Sequence, residues 1–297
     1  MTALSAMAAA GELRAPRQGG LKRLALYPAL LFTAAFFLMP LLVMLVMSFT
    51  LRDKGVTVEW GTLANYRAFL ESGDGVLLEA MLNSLEVTAL VTVISILIAY
   101  PVAYILAYRV PPRWQRLLLV FMVLPFWTSY VIRSYSWLLV LSQNGIINQA
   151  LMGLGLLDAP VGMGNNRGAT VLGFVHFFVM LLTLTIYSNL VQIKESYRKA
   201  AADLGASPAQ VFWHVTLPLS LPGVAVGAFL TFVLAIGDYI TPQILGGSKE
   251  LLMPQAIMRQ VGRTADFSMA SALSMILMAV IVVAFLLSAK HLKMGRL

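Results

Sequence analysis

Six long apolar stretches constrain this chain more than any other feature of its sequence. A helix needs about 18–20 apolar residues to cross the roughly 30 Å hydrocarbon core of a bilayer. No repeated ten-residue alternation typical of a transmembrane barrel occurs. We therefore expect an all-α integral membrane protein, with the first stretch as an uncleaved anchor and six transmembrane helices at residues 24–49, 87–108, 117–141, 169–190, 221–240 and 269–289.

The composition agrees with a membrane chain and excludes several soluble classes. Only 11% of the 297 residues are charged, whereas soluble domains carry about 25%. Too few polar side chains are therefore available to cover a soluble globule of this size. Apolar residues make up 59% of the chain, which excludes intrinsic disorder. The absence of cysteine excludes a disulfide scaffold and cysteine-ligated metal sites.

The net charge of +8 is divided unevenly between the two sides of the predicted bundle. Six spans place both termini on one side, together with the connections after the second and fourth spans. That side carries 13 of the 21 basic residues and three of the 13 acidic ones, a net charge of +10, and the other side carries −2. Because basic residues accumulate in cytoplasmic loops, we predict cytoplasmic tails at 1–23 and 290–297. The excess charge then reflects membrane orientation and not a nucleic-acid partner.

The predicted cytoplasmic connection 191–220 is long enough to hold structure of its own. Three successive alanines, Ala200–Ala202, favour a helix, which Gly205 interrupts. Ser207 suits the N-cap of a second helix because Pro208 follows at its first position. We therefore predict a helix–glycine–helix hairpin outside the membrane.

The second helix of this hairpin is predicted at 208–215, ended by Leu217-Pro218. It presents Val211, Phe212 and Val215 on one face. This apolar face suits docking of another protein, although an interfacial helix lying on lipid would show the same pattern. Periodicity alone leaves both alternatives open.

The spacing within 191–220 resembles a known protein family. It is similar to the EAA loop of permease subunits of binding-protein-dependent ABC importers, with Ala200-Ala201, Gly205 and Val215-Thr216-Leu217-Pro218 at the matching positions. In that family the loop forms a coupling helix that docks into a groove on the ATPase subunit. Lys199 stands where the family has glutamate, so the polar contact with the ATPase is expected to differ. The resemblance implies the type I ABC importer permease fold, with ATPase-coupling residues Lys199, Ala200, Ala201, Gly205, Phe212, Val215, Leu217 and Pro218.

Further motifs resemble spermidine/putrescine-type permeases over nearly the whole chain. They are Leu124-Pro125-Phe126-Trp127-Thr128 followed by Ile132-Arg133, and Gly237-Asp238-Tyr239 followed by Pro242 and Leu245-Gly246-Gly247. The resemblance implies import of a small solute, with a polyamine as the expected substrate. Permeases for iron, thiamine, sulfate and opines share parts of these motifs, so another small solute is the alternative.

The resemblance also implies the partners of the chain in a bacterial inner membrane. These are two copies of an ABC ATPase that bind ATP and Mg, a second homologous permease subunit, and a periplasmic substrate-binding protein. The chain has neither a G-x-x-x-x-G-K-[ST] nor an H-E-x-x-H sequence. We therefore expect no cofactor, metal or catalytic site in this chain.

Three ionisable residues within the predicted spans are candidates for function, because charge inside a bilayer is costly. Glu86 opens the second span, and Arg133 and Asp238 lie about 24–25 Å along the third and fifth spans by helix rise. They could snorkel to the interface or pair, for instance Arg133 with Asp238. Alternatively they line the outer mouth of a translocation path, where aromatic rings offer cation–π contacts. The substrate-path candidates are Glu86, Trp127, Tyr130, Arg133, Asp238 and Tyr239.

Several other residues receive structural interpretations. His176 is expected to be a packed, hydrogen-bonded residue of the fourth span, and His214 an exposed residue or an ATPase contact. Gly223 and Gly227 form a GxxxG pair that predicts a close helix–helix contact. Pro125 is expected to kink the third span.

Two other function classes remain as alternatives. A secondary transporter is disfavoured because six spans are few and no inverted repeat with paired broken helices is evident. A structural scaffold has no specific support in the sequence. Co-purification distinguishes the classes, because a permease of this type is isolated with an ATPase and a second permease chain.

Overall fold

The computed structural model describes residues 27–28, 30–53, 56–71, 75–247 and 250–292. These residues are mainly helical, which confirms the predicted class of membrane protein. The tail 1–23 and residues 293–297 lie outside the described residues. Among the described residues, five helices are long and apolar enough to cross a membrane. They are the first, second, fourth, fifth and sixth spans: Leu30–Ser48, Val76–Tyr108, Arg167–Leu190, Pro208–Ile236 and Phe267–Ala289. The helix of the sixth span continues to Leu292.

The third span differs from the single helix predicted at 117–141. It consists of two helical segments, Pro112–Trp127 and Tyr130–Val140, that meet at 91°. By length and composition the bent pair is either one broken span or a re-entrant segment. The straight third span assumed in placing Arg133 by helix rise is therefore wrong.

Pro125 explains where the third span breaks. Proline lacks a backbone N–H, and its ring clashes with the carbonyl four residues earlier in an α-helix. The chain tightens into a 3₁₀ turn at Leu124–Trp127, and Thr128 and Ser129 then become extended, with ψ of 145° and 131°. The Thr128 hydroxyl donates to the Pro125 carbonyl at 2.7 Å and fixes the turn. The kink expected from Pro125 is confirmed, but it is a bend of 91° between two separate helices.

The second, fourth and fifth spans form the centre of the bundle. The second span packs most extensively against the fourth, through fully buried small residues on one helix and larger apolar residues on the other. The sixth span packs against the first and the fifth. The buried residues of the contact between the second and fourth spans are Ala99, Ala103, Leu182, Ile186 and Leu190.

The GxxxG pair in the fifth span lies against the fourth span, as predicted. A Cβ atom added to Gly223 would lie 2.4 Å from the Cβ of Asn189, and one added to Gly227 would lie 2.7 Å from Cδ2 of Leu182. Small residues let two backbones approach closely where lipid supplies no hydrophobic drive for association. The two glycines therefore set the distance between the fourth and fifth spans.

Gly223→Ala is expected to destabilise the bundle. The added methyl group meets the base of the Asn189 side chain, which cannot swing away, and overpacking of this kind costs about 1–3 kcal/mol. The matched control is Gly237→Ala at the end of the same span, where the nearest atom to an added Cβ is 3.6 Å away. Thermal unfolding of the purified protein checks the prediction. Equal midpoints for the two variants would contradict it.

The connection between the first two spans adds a small β-element to the predicted all-α chain. Strands Thr50–Asp53 and Val56–Trp60 pair antiparallel, and the helix Ala64–Glu71 follows. Buried Asn65 donates to the carbonyls of Ser48 and Thr50 at 3.1 and 2.8 Å. These bonds fasten the connection to the end of the first span. The remaining short helices are Ile146–Gly153, Glu195–Asp203, Ile240–Leu245 and Met253–Arg259.

Candidate functional site

The connection 191–220, hereafter the helical loop, begins as the predicted helix–glycine–helix hairpin. A helix at Glu195–Asp203 ends before Gly205, whose φ of +86° suits glycine far better than a residue with a side chain. The Ser207 hydroxyl accepts from the Gln210 N–H at 3.3 Å, and the Gln210 side chain accepts from the Ser207 N–H at 2.7 Å. This reciprocal cap confirms Ser207 as the start of the second helix.

The second helix of the helical loop does not end at Leu217-Pro218, as the sequence suggested. It runs without interruption from Pro208 into the fifth span and ends at Ile236. A π-helical turn at Phe212–Thr216 precedes the proline. We attribute the continuity to this wider turn, because it relaxes the carbonyl arrangement with which the Pro218 ring would clash. The second helix of the helical loop and the fifth span therefore form one continuous helix.

Phe212 faces the second span and not the outside, which corrects its predicted place on the docking face. Its ring lies edge-on to Tyr100 and Tyr104, with centroid distances of 5.9 and 5.5 Å. The Tyr100 hydroxyl is 2.8 Å from that of Ser220 in the fifth span. The start of the fifth span is thereby joined to the second span by two aromatic contacts and one hydrogen bond.

The first helix of the helical loop is joined to the same second span. The Arg198 guanidinium lies over the Tyr108 ring, with Cζ 4.0 Å from the centroid. The Tyr108 hydroxyl donates to the Leu190 carbonyl at 2.9 Å. Cation–π contacts at this distance stabilise by about 0.5–2 kcal/mol, depending on exposure. Both helices of the loop are therefore in contact with the second span.

The outer surface of the helical loop is concave and largely apolar. Leu204 is 89% exposed at its tip and Trp213 is 63% exposed on its flank. Between the two helices lies an open concavity of about 360 Å³, lined by Ala201, Leu204, Gly205, Ala206, Gln210, His214 and Val215. His214 is exposed, with Nδ1 3.0 Å from the Gln210 carbonyl. Of the predicted coupling residues, Ala201, Gly205 and Val215 line this concavity, whereas Phe212 faces the bundle.

Lys199 is paired within its own helix. Its Nζ lies 3.2 Å from a carboxylate oxygen of Glu195, one turn earlier, and both side chains are largely exposed. An exposed pair of this kind contributes at most about 0.5 kcal/mol to the helix. The pair therefore leaves both charges accessible on the surface of the loop.

Phe212→Ala is expected to loosen the link between the helical loop and the second span. Two edge-on aromatic contacts disappear, each contributing about 0.5–1.5 kcal/mol. In the ATPase complex that the resemblance of the helical loop implies, we expect the ratio of substrate-stimulated to basal ATPase activity to fall about threefold or more. Leu219→Ala, an exposed residue of the same helix, is the control. Equal ratios in the two variants would contradict a mechanical role for Phe212.

At the opposite end of the bundle, Glu86 is engaged in an ion pair that the sequence did not indicate. Arg167, at the start of the fourth span, lies 2.7 Å from Glu86 through Nη2 and 3.8 Å from Glu250 through Nε. The cluster joins the second and fourth spans to the connection before the sixth. This agrees with the structural interpretation of Glu86 as a paired residue, although Arg167 is shared with Glu250 and the cluster keeps a net charge of −1.

Asp238 forms a different cluster with two hydroxyl groups. Its carboxylate accepts hydrogen bonds from the hydroxyls of Tyr130 and Thr241, the latter at 2.7 Å. The Tyr130 hydroxyl also contacts that of Thr241. The other carboxylate oxygen accepts from the Ile240 N–H at 2.8 Å. This Tyr130–Asp238 cluster places one carboxylate where the broken third span meets the end of the fifth.

Arg133 and Asp238 form no salt bridge in the described part of the chain, so their suggested pairing is wrong. The Arg133 guanidinium lies instead over the rings of Phe177 and Tyr130, with Cζ 5.2 and 5.9 Å from the centroids. The 91° bend explains the difference, because it turns the Arg133 helix away from the direction of a straight span. The two charges share Tyr130 as a neighbour.

The remaining candidates occupy the edges of this region. Trp127 is 85% exposed on the broken third span, and Tyr239 is partly buried beside Asp238. His176 accepts a hydrogen bond at Nδ1 from the Trp137 indole at 2.7 Å, which confirms its packed, hydrogen-bonded role. The sequence reasoning missed Phe177 and Thr241, which carry no charge, and only the motif around Asp238 could have directed attention to Thr241.

Comparison with known proteins agrees with this architecture. Residues 9–292 match the family model described as "Binding-protein-dependent transport system inner membrane component". A relative from Haemophilus influenzae, the spermidine/putrescine transport system permease protein PotB, is 33% identical over 251 residues, covering 83% of this chain and 86% of the relative. The protein of the same name from Escherichia coli K12 is 32% identical over 243 residues, covering 82% and 87%.

The solved structures that are similar include a bacterial ABC transporter involved in the import of the acidic polysaccharide alginate. One of its chains superposes with a TM-score of 0.74 at 17% identity, and the match covers 93% of this chain and 96% of that one. At this identity the likeness shows the fold alone. Together with the family match over nearly the whole sequence, it shows that this chain belongs to the family of binding-protein-dependent transport system inner membrane components, as a multi-pass permease of the inner membrane.

Proposed function

We propose that this chain is one permease subunit of an ABC importer that moves a polyamine into the cytoplasm with ATP hydrolysed by a separate subunit. The observation that carries the proposal is the helical loop, which is continuous with the fifth span and fastened to the second. Such a loop can pass the movement of an attached ATPase to the spans. The polyamine is proposed from the names of the two relatives that are 32% and 33% identical.

The concavity of the helical loop is the proposed docking point for the ATPase. An exposed leucine at the tip and an apolar hollow of about 360 Å³ suit a protein partner, because protein interfaces bury such apolar centres. The charge distribution supports placing this loop, and both termini, in the cytoplasm. We propose two ATPase copies, a second homologous permease chain, and a binding protein that delivers the solute on the other side.

Transport then follows from alternating access. ATP binding closes the two ATPase subunits, and the helical loop moves with them. Because the loop is rigidly joined to the second and fifth spans, the outer ends of these spans move as well. The path opens toward the binding protein in one state and toward the cytoplasm in the other.

The Tyr130–Asp238 cluster is the proposed contact for the solute in this chain. Its carboxylate supplies negative charge in a region of low dielectric, where an ammonium group is otherwise poorly solvated. Aromatic rings beside it add cation–π contacts. Glu86 is not part of this proposal, because it is paired with Arg167 at 2.7 Å.

Co-purification tests the assembly. The tagged chain is expressed together with the other subunits of its transport system and extracted in mild detergent. It should be isolated with an ATPase and a second permease chain. Gly205→Asp should reduce recovery of the ATPase while the permease pair persists. A chain that is isolated alone and transports in response to an ion gradient would favour a secondary transporter instead.

A further inference from the structure

The guanidinium of Arg133 occupies an aromatic surface that would suit a different cation. Its Cζ lies 5.2 Å from the Phe177 centroid and 5.9 Å from that of Tyr130, within the roughly 6 Å limit for cation–π attraction. The two rings meet edge-on at 5.1 Å, and Phe126 packs against Phe177 at 4.8 Å. These rings form a prepared surface for positive charge, hereafter the aromatic seat (Tyr130 and Phe177).

Arg133 is weakly held on this seat. Within the described residues it has no carboxylate within salt-bridge distance. One nitrogen, Nη2, donates to the Thr128 carbonyl at 3.2 Å, while Nε and Nη1 are buried without a hydrogen-bond partner. Buried donors without partners are costly. Removing the guanidinium from the seat therefore sacrifices few interactions.

The aromatic seat and the carboxylate of Asp238 are both contacted by Tyr130, one through its ring and the other through its hydroxyl. The guanidinium lies by the Tyr130 ring, and the hydroxyl of that ring donates to Asp238. A molecule with two separated positive charges can therefore contact the seat with one charge and the carboxylate with the other. A molecule with a single charge can take only one of these contacts.

We propose that Arg133 is a specificity-determining residue that occupies the aromatic seat in place of substrate and favours solutes with two or more positive charges over solutes with one. A monocation that displaces Arg133 merely exchanges one cation for another. A diamine displaces Arg133 and also contacts the carboxylate of Asp238. This second contact supplies binding free energy that a monocation on the rings does not gain. This inference rests on the proposed function, because it assumes that polycations reach the Tyr130–Asp238 cluster.

The test measures binding without the binding protein, which would otherwise mask the selectivity of the permease. The assembled permease–ATPase complex in lipid nanodiscs is dialysed against radiolabelled putrescine, a diamine, or n-butylamine, a monoamine. Arg133→Gln should bind putrescine about tenfold more tightly than the wild type, because putrescine no longer has to displace the guanidinium from the rings. Breaking a desolvated cation–π contact of that kind weakens binding by about a factor of ten. Butylamine binding should become measurable. Arg133→Lys, which keeps the charge, should stay within about threefold of the wild type.

Weaker or unchanged putrescine binding by Arg133→Gln would overturn the proposal. If that variant does not assemble, Arg133→Met keeps the side-chain length without the charge and takes its place. Failure of both to assemble would mean that Arg133 serves the structure of the complex, which also overturns the proposal. A second assay, of polyamine uptake with the binding protein present, distinguishes failure of the proposed function from failure of the role of Arg133. No polyamine uptake by the wild type rejects the proposed function, whereas normal uptake with unchanged Arg133→Gln binding rejects the role of Arg133 alone.

Discussion

Gly205→Asp is expected to reduce substrate-stimulated ATPase activity by more than about tenfold while leaving the spans inserted. Gly205 has a φ of +86°, and a residue with a side chain in this region costs roughly 1–2 kcal/mol. The new carboxylate also lies in the concavity, where docking would bury it unpaired at a cost of about 2–5 kcal/mol. The measurement is the ATPase activity of the reconstituted complex with loaded binding protein.

Gly155 offers a matched control for this substitution. It too has a positive φ, of +69°, and an added Cβ there meets nothing within 4 Å, as at Gly205. Gly155→Asp therefore introduces similar backbone strain and the same charge in the connection between the third and fourth spans. We expect its stimulated activity to remain within about twofold of the wild type. Equal loss in both variants would indicate a general folding defect and not a loss of coupling.

Asp238→Asn is expected to reduce polyamine uptake by about tenfold or more, because a charge-assisted contact of about 1.5–3 kcal/mol is lost. The amide keeps the shape of the carboxylate and can still accept from the Ile240 N–H. The Tyr130 and Thr241 hydroxyls can reorient toward the new amide group. The substitution therefore removes the negative charge and largely preserves the local fold.

Glu86→Gln is the control for Asp238→Asn. Its charge is paired with Arg167, and its side chain is 68% exposed, so uptake should stay within about twofold of the wild type. Uptake of radiolabelled putrescine by cells expressing equal amounts of each complex measures both variants. Normal uptake by Asp238→Asn would remove the Tyr130–Asp238 cluster from the translocation path.

Local rules were enough to anticipate the helical loop. The positions of Gly205 and Ser207 depend on backbone conformation and on the first turn of a helix, which neighbouring residues determine. The GxxxG contact was equally readable, because small residues at a spacing of four create a flat helix face. These predictions needed no knowledge of what lies on the other side of the contact.

Features that depend on distant residues could not be predicted in the same way. The apolar pattern of the third span continues past Pro125, so hydropathy gave no sign of a 91° change of direction. Phe212 shows helical periodicity whether it faces a partner or the second span. The counter-ion of Glu86 is Arg167, which lies 81 positions later in the sequence. Only the packed bundle determines which charges meet.

ATP-driven uptake into proteoliposomes tests the central claim most directly. The purified complex is reconstituted with ATP and Mg enclosed in the lumen, and loaded binding protein with radiolabelled spermidine is added outside. We predict that spermidine accumulates only when the lumen contains hydrolysable ATP, and that a proton or sodium gradient cannot replace it. Accumulation that follows an ion gradient without ATP, or ATP-driven uptake of another solute but not of a polyamine, would contradict the account.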